Sequence, residues 1–429
     1  MSGVALDARD EAQLRGAEGA ARRWAMEVVV EMAAVLRAPR LIDIESAHVD
    51  GCLPFGQVAL DLPRHLLNLG GSVAVPTTLN VSALDLLHPE RPAGDPVVAE
   101  LGRQVAAAYE ALGCQPTWTC APYQLVSRPA FGSHVAWAES NAIVFANSVL
   151  GARTGRYGDF FDICAALTGR VPEAGLHITS ERRARAVFEL ISLTERQLAG
   201  DLLYPLLGTF IGEWTGARVP AIVGLPASAS EDQLKALGAA AASSGSVAMF
   251  HAVGVTPEAV TLEAALQGEA PELVIEVTAE DLALVRRRLT RVGTDARSIG
   301  RPSGSHLSAV ALGTPHFSMA EFEVLRTRLR GRHVHPGVVV HVATARETYA
   351  QITQQGWADE LASQGVEIVT DTCTYLRPML DFGGGTVLTS SAKWAWYAPM
   401  TVGTDVVLGS LAECVESAVS GRLEIDDGF

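Results

Sequence analysis

The residues most capable of chemistry are concentrated in one stretch, from Gly132 to Gly175. This stretch has carboxylate, amide, hydroxyl and guanidinium groups where a buried helix would have leucine or valine: Glu139, Ser140, Asn141, Asn147, Ser148 and Arg153. Neither helical periodicity nor strand alternation explains them in a chain that is 48% hydrophobic. Because buried polar groups cost free energy unless they are paired, a dense set of them usually lines a site. A polar seam between domains is the alternative, since such networks are also structural.

A second group of polar residues lies just past the ends of predicted strands. It comprises four motifs: Thr119-Cys120, Gly313-Thr314-Pro315-His316, Asp371-Thr372-Cys373, and Thr389-Ser390-Ser391 before Lys393. In open α/β sheets, ligands bind in the crevice beyond the carboxyl ends of the strands. Loops at strand ends are polar in any case, but four such motifs, two of them with cysteine, favour a site over chance.

Lysine is rare in this chain, where only Lys235 and Lys393 interrupt an otherwise arginine-based set of cations. This bias suggests that position 393 requires a property of lysine that arginine lacks, such as a compact or titratable ammonium group. Chance is the alternative. The six cysteines are scattered without a CxxC pair, and their spacing alone does not define a metal site.

The elements that would position these residues alternate between strand and helix. Residues 8–37 predict one long helix, and the later half of the chain repeats a strand-then-helix pattern, with capping signatures at Thr278 and Ser318. Such alternation is typical of largely parallel sheets flanked by helices. The sequence therefore predicts an α/β fold.

Length and charge exclude several classes of partner. A chain of 429 residues predicts two or three lobes rather than one small core. Its net charge of −15 argues against nucleic acid or an anionic membrane as a partner. No segment reaches the roughly 18 consecutive apolar residues of a membrane span, and the polar amino terminus lacks the order of a secretory signal. We expect a cytoplasmic protein.

Several of these segments resemble the aconitase X family over nearly the whole chain. The resemblance is carried by Pro76-Thr-Thr-Leu-Asn80, Cys120-Ala-Pro-Tyr123, His134-Val-Ala-Trp-Ala-Glu-Ser140, Ala146-Asn-Ser-Val-Leu-Gly-Ala-Arg-Thr154, Leu167-Thr-Gly-Arg170, Leu237-Gly-Ala-Ala-Ala-Ala-Ser-Ser-Gly-Ser-Val-Ala248, Thr372-Cys373 and Thr389-Ser-Ser-Ala-Lys393. The segment from Ala146 to Arg153 is the most specific of these.

The resemblance implies an iron–sulfur hydro-lyase built from aconitase-like α/β lobes, here as the family's large subunit. We expect one lobe from residues 1–225 with 370–429, which would contain Cys120, Glu139, Cys373 and Lys393. Residues 226–369 would form a second, with Thr314 and His316. The family also requires a small swivelling domain, which we expect as a separate subunit that contributes part of the closed site, including a catalytic serine.

Two family activities compete for this chain. Bacterial members include cis-3-hydroxy-L-proline dehydratases, which form an enamine that becomes Δ1-pyrroline-2-carboxylate, whereas archaeal-type members dehydrate mevalonate 5-phosphate. The family's cluster cysteines correspond to Cys120 and Cys373, but its third, in a Gly-Cys-Pro-His motif, is replaced here by Thr314. A smaller cluster such as [2Fe-2S], or a mononuclear iron with another ligand such as His316, is then expected. The lost cysteine and the absence of a basic cluster in the sequence favour the hydroxyproline branch.

Dehydration of a 3-hydroxy acid needs a base, help for the departing hydroxide and a clamp for the carboxylate. Iron held by the thiolates of Cys120 and Cys373 would act as the Lewis acid. We interpret Glu139 as an acid/base or ammonium partner beside Ser140, and Lys393 as a partner of the carboxylate or enolate. The remaining expected substrate contacts are His48, Asn80, Arg153, Ser390 and Ser391.

Each of these roles has a plainer alternative. Glu139 could be a buried helix carboxylate paired with Arg153 or Arg170, and Lys393 could be a surface lysine. His48 and His316, expected in loops after strands, could be ordinary loop histidines. For the whole chain, the rival from another class is a non-catalytic α/β module that binds an amino acid or sugar.

Overall fold

The computed structural model describes residues 3–91, 95–291, 307–376, 382 and 384–426. The chain forms two compact units, one from Met1–Leu84 and Asp95–Arg183, the other from Asp85–Gly94 and Ala184–Phe429. Both contain parallel strands and helices, so the predicted α/β class is confirmed.

The first unit is built on a small parallel sheet. Its helices and strands are α1 (Ala8–Leu14), α2 (Ala20–Val35), β1 (Leu41–Asp43), β2 (Ala47–Val49), α3 (Val58–Asn68), β3 (Thr77–Leu79), α4 (Pro96–Ala111), β4 (Ala136–Trp137), α5 (Ser140–Phe145), α6 (Phe161–Thr168) and β5 (Arg170–Pro172). The parallel sheet has the order β3-β2-β4, and β1 pairs antiparallel with β5. A π-helical segment, Ala146–Leu150, follows α5 directly.

The helix predicted over residues 8–37 is two helices. Gly19 interrupts it with a φ of 102°, a conformation open to glycine but unfavourable for a residue with a Cβ. Asp7 caps α1 with a capping box, in which its carboxylate accepts from the Asp10 amide.

The second unit contains two parallel sheets. Its elements are β6 (Ala184–Glu189), α7 (Glu195–Leu198), α8 (Leu203–Thr215), β7 (Val219–Val223), α9 (Glu231–Ser244), β8 (His251–Ala252), α10 (Leu262–Leu266), β9 (Leu273–Glu276), α11 (Ala279–Leu289), β10 (Leu307–Phe317), α12 (Met319–Leu329), β11 (Val339–Thr344), α13 (Arg346–Gln354), α14 (Trp357–Ser363), β12 (Val366–Thr370), β13 (Thr386–Thr389), α15 (Ala392–Thr401), β14 (Asp405–Leu408) and α16 (Leu411–Ser420). The strand orders are β8-β7-β6-β9 and β12-β11-β10-β13-β14.

The larger sheet has a topological switch point beside its buried central strand. From β10 the chain proceeds outward to β11 and β12, then crosses to β13 and β14 on the other side. The carboxyl ends of β10 and β13 therefore flank a crevice of the kind in which α/β proteins bind ligands. Thr314 and His316 lie in β10, and Ser390 and Ser391 follow β13.

Strand pairing divides the chain differently from the lobes expected from the sequence. Residues 184–223 provide β6 and β7, which pair with β8 and β9 in the second unit. Residues 366–408 provide β12, β13 and β14, which join β10 and β11 in one sheet. Both segments lie in the second unit because backbone hydrogen bonds between strands hold them there. Of the helices in the described part of the chain, none is both long enough and apolar enough to cross a membrane.

Candidate functional site

Three polar side chains lie just past the carboxyl ends of neighbouring parallel strands in the first unit. Asp50 follows β2, Asn80 follows β3, and Glu139 lies two residues beyond β4. The register pairs Val49 with Leu79 and His48 with Trp137, which places the three residues level with one another at the sheet edge. The Asn80 amide donates to Oδ1 of Asp50, in agreement with this placement.

Asp50 was not singled out from the sequence, yet the pKa of its carboxyl is strongly altered at this edge. Burial raises the pKa of Asp50 to about 8, and the negative charges of Glu139 and Asp159 act in the same direction. Its backbone N–H donates to Oδ2 of Asp162 at 2.7 Å, and burial raises the pKa of Asp162 to about 7. Asp50 therefore retains a proton near neutral pH. The strand before it, Ala47–Val49, was not predicted from the sequence, which placed His48 in a loop, so the strand-end position that marks Asp50 was not recognised.

Asn141 links Cys120 to Glu139. Its amide nitrogen donates to the Cys120 carbonyl at 2.8 Å and also to Oε2 of Glu139, while its oxygen accepts from the Tyr123 hydroxyl at 2.5 Å. The Glu139 carboxylate also caps α5 by accepting from the Ala142 amide at 2.8 Å. The predicted site residues Cys120 and Glu139 thus belong to one buried network, with Ser140 Oγ 3.4 Å from Oε1 of Glu139.

His48 lies within β2 rather than in a loop. Its Nδ1 is 2.8 Å from the Thr78 hydroxyl, and burial lowers the pKa of its imidazole to about 3. A neutral ring can serve as a hydrogen-bonding group but not as a cation near neutral pH. Arg153 donates to the His177 carbonyl at 2.8 Å, and Arg170 pairs with Asp7, Asp10 and Asp43.

Much of the polar stretch after Glu139 builds the fold. The Asn147 side chain accepts from the Thr154 amide and donates to the Thr154 carbonyl, both at 3.0 Å. The buried guanidinium of Arg182 donates to Oδ1 and the carbonyl of Asn147 and to the carbonyl of Ala152. These contacts fix the π-helical segment and the turn that follows it.

In the second unit, the last residues of β10 form a tightly packed polar segment. Gly313 has a φ of 83°, and a Cβ there would lie 2.0 Å from the Ala343 carbonyl oxygen. The Ser391 hydroxyl donates to the Thr314 carbonyl, and the Thr314–Pro315 peptide is cis. The Thr314 hydroxyl is buried without a hydrogen-bond partner.

His316 and Cys373 have the separation and burial of a ligand pair. A ring nitrogen of His316 lies within 4.8 Å of Sγ of Cys373, and both residues are buried. Metal–nitrogen and metal–sulfur bonds of about 2.1 and 2.3 Å let one ion contact atoms up to roughly 4.4 Å apart, close to this separation. Burial lowers the pKa of His316 to about 4, which keeps the imidazole neutral, as a metal ligand must be. A thiol and an imidazole therefore fit an iron centre.

Lys393 lies at the same end of the sheet and is buried, not exposed. It is 4% exposed in the first turn of α15, and its charge contributes to the lowered pKa of His316. Ser391 caps this helix by accepting from the Trp394 amide at 3.0 Å, and Ser390 lines a cavity of about 40 Å³ with Thr314. The second unit thus brings together the predicted residues Thr314, His316, Cys373, Ser390, Ser391 and Lys393.

Comparison with known proteins gives the same family along the chain. Models of the aconitase X first, second and third domains match residues 3–180, 185–287 and 307–420. The cis-3-hydroxy-L-proline dehydratases of Pseudomonas aeruginosa and Hypocrea jecorina are each 43% identical over 98% of this chain, which covers 71% and 70% of them. The phosphomevalonate dehydratase large subunit of Methanothermobacter thermautotrophicus is 34% identical, covering 94% of this chain and 96% of that protein.

A solved structure agrees with these relatives. The crystal structure of Thermococcus kodakaraensis aconitase X in its holo-form superposes with a TM-score of 0.84 and 29% identity, over 96% of this chain and 100% of that one. Fold and relatives together define an α/β hydro-lyase. The chain belongs to the aconitase X family.

Proposed function

We propose that this protein dehydrates cis-3-hydroxy-L-proline, and the 43% identity to two dehydratases of that name carries the proposal. The proton at C2 and the hydroxyl at C3 leave as water, and the enamine product becomes Δ1-pyrroline-2-carboxylate. Thr314, in place of the family's third cysteine, supports the same branch. Mevalonate 5-phosphate is the second candidate substrate, because the archaeal large subunit is 34% identical and 96% covered.

We infer that Cys120, His316 and Cys373 ligate an iron or iron–sulfur centre. The pairing of His316 with Cys373 supports this set within the second unit. Cys120 is assigned from the family motif Cys120-Ala-Pro-Tyr123. When bound, such a centre would supply Lewis-acid stabilisation of the departing hydroxide, worth several kcal/mol.

The chain's own residues would divide the remaining work between proton transfer and substrate binding. Glu139, held by the Ala142 amide and Asn141, is proposed as the base for the C2 proton. Asp50 retains a proton near neutral pH and is proposed to donate it to the leaving oxygen, which then departs as water. Lys393, with Ser390 and Ser391, is proposed to bind the substrate carboxylate.

The remaining residues proposed near the substrate are Asn80, His48, Arg153 and Ser140. Asn80 orients Asp50 through their hydrogen bond, and Ser140 lies beside Glu139. His48 and Arg153 already bond Thr78 and the His177 carbonyl, so their role in substrate binding would be indirect.

We also propose that a separate small swivelling subunit completes the enzyme. The large-subunit names of the archaeal relatives support this partner, since the chain spans 96% and 98% of two of them. The substrate itself is a small hydroxy acid, and the net charge of −15 does not favour nucleic acid as a partner. We place the assembly in the cytoplasm as part of the same proposal.

The test is a pair of assays on anaerobically purified protein co-expressed with a candidate small subunit. We expect dehydration of cis-3-hydroxy-L-proline and no dehydration of mevalonate 5-phosphate. In the same preparations, Cys120→Ser and Cys373→Ser should lose iron, whereas Cys164→Ser, in α6, should retain it. Turnover of mevalonate 5-phosphate alone would overturn the substrate assignment, and full activity in iron-free protein would overturn the centre.

A further inference from the structure

Asp371 opens the turn that carries Cys373 and has an unfavourable backbone conformation. Its φ is 65°, in the left-handed region, which a residue with a Cβ rarely adopts. Its side chain is fully buried. Such a residue persists only where its surroundings hold it firmly.

Arg346 provides that hold through a two-point ion pair. Its Nε donates to Oδ1 of Asp371 at 2.6 Å, and its terminal nitrogen donates to Oδ2 at 2.7 Å. Oδ2 also accepts from the Leu87 amide at 3.1 Å. Paired parallel N–H···O bonds fix the orientation of a carboxylate more strictly than a single contact does.

Sheet register explains why these two residues meet. Thr344, the last residue of β11, pairs with Thr370, the last residue of β12. Arg346 begins α13 two residues after the first of these strands, and Asp371 directly follows the second. The ion pair therefore joins the carboxyl ends of adjacent strands at the ligand-bearing edge.

The residue between Asp371 and Cys373 is also held. The Thr372 carbonyl accepts from Nε2 of His316 at 3.0 Å, so the turn is fixed at its first residue by Arg346 and at its second by His316. We propose that Arg346 is a positioning residue, which directs Sγ of Cys373 toward the metal by holding the Asp371 carboxylate. The proposal rests on the iron centre proposed above, to which Arg346 itself does not bind.

The experiment compares Arg346→Gln and Arg346→Lys with Arg332→Gln. Arg332 forms a similar two-point pair with Glu416, at 2.7 Å for both bonds, between the loop before β11 and helix α16 rather than at the carboxyl ends of strands. Each variant and the wild type are purified separately under anaerobic conditions. For each protein we measure iron per chain, the visible absorption spectrum, the rate of iron loss to a chelator and the Tm.

Loss of a residue that orients a metal ligand through hydrogen bonds typically weakens metal binding 10–100-fold. We expect iron loss from R346Q to be roughly that much faster, with R346K between it and wild type because lysine makes a single-point contact. R332Q should release iron at the wild-type rate. If R346Q does not fold, R346K carries the test.

The outcomes separate this proposal from the proposed function. Suppose that the wild type binds iron and that R346Q or R346K releases iron at the wild-type rate, whatever its Tm. The ion pair would then serve folding alone, and the role of Arg346 would be overturned. Wild-type protein that binds no iron would overturn the iron centre and this proposal with it.

Discussion

The imidazole of His316 donates from Nε2 to the carbonyl oxygen of Thr372 across 3.0 Å. Because a carbonyl oxygen can only accept, the hydrogen of the neutral ring lies on Nε2 and the lone pair lies on Nδ1. Metal-binding histidines commonly donate their second nitrogen to a carbonyl in this way, which fixes the tautomer and the ring orientation. The bond therefore favours Nδ1 as the ligand atom directed to iron.

We predict that His316→Gln loses iron while the fold persists. A glutamine amide can replace Nε2 as the donor to Thr372, but it has no counterpart of Nδ1. The exposed His335 offers the matched control His335→Gln, which should keep its iron. Iron content and visible absorption measure the effect, and Tm reports the fold. Wild-type iron content in the His316 variant would remove histidine from the proposed ligand set.

The α/β class and the family could be predicted from the sequence because both depend on local signals. Strand-then-helix alternation and capping residues such as Ser318 are read within a few positions. The lobes could not be predicted in this way. Pairing of β10 with β13 joins residues far apart in sequence, and no linker composition marks that contact.

Gly313→Ala is expected to destabilise the second unit strongly. A Cβ at this position would lie 2.0 Å from the Ala343 carbonyl oxygen and would also have to adopt a φ of 83°. A backbone clash between β10 and β11 cannot be relieved by a side-chain rotation, so we expect a loss of roughly 3 kcal/mol or more. Gly331→Ala is the control, because it has a φ of 71° with nothing within 4 Å and should lose only about 1 kcal/mol. Equal losses in chemical denaturation would contradict the clash.

Asp50→Asn should change how stability depends on pH. The pKa of Asp50 is raised from 3.8 to about 8, so between these values the folded chain holds a proton that the unfolded chain releases. Its contribution to the free energy of unfolding is therefore fully present below pH 3.8 and lost as pH rises through 8, by up to about 1.4 kcal/mol per unit. The asparagine variant should gain stability relative to wild type from pH 5 to pH 8.

The control for this pH series is Asp61→Asn, on the exposed surface of α3. Denaturation at several pH values compares the two variants with wild type. A constant difference between Asp50→Asn and wild type across the range would mean that the carboxyl is ionised in the fold at neutral pH.

In the polar stretch from Gly132 to Gly175, the sequence could not separate residues that build the fold from candidate site residues, for a physical reason. A buried polar side chain needs partners whether it serves chemistry or the fold, and composition cannot distinguish the two. Asn147 satisfies the backbone of Thr154, whereas Glu139 lies at a strand end beside Asp50. The rarity of lysine was a better guide to unusual positions than the density of polar residues. Both lysines, Lys235 and Lys393, are buried, at 3% and 4% exposure.

Glu139→Gln separates the two remaining interpretations of this carboxylate, proton transfer and helix capping. The amide oxygen of glutamine can still accept from the Ala142 amide, so the cap of α5 and the Tm should be nearly retained. A lost general base typically lowers kcat 10²–10⁴-fold, and we expect a decrease of that size on cis-3-hydroxy-L-proline with little change in KM or iron content. Ser140→Ala, which leaves the carboxylate in place, should lose far less activity. If kcat instead falls only two- to threefold, Glu139 acts as a helix cap, and another residue must be the base for the C2 proton.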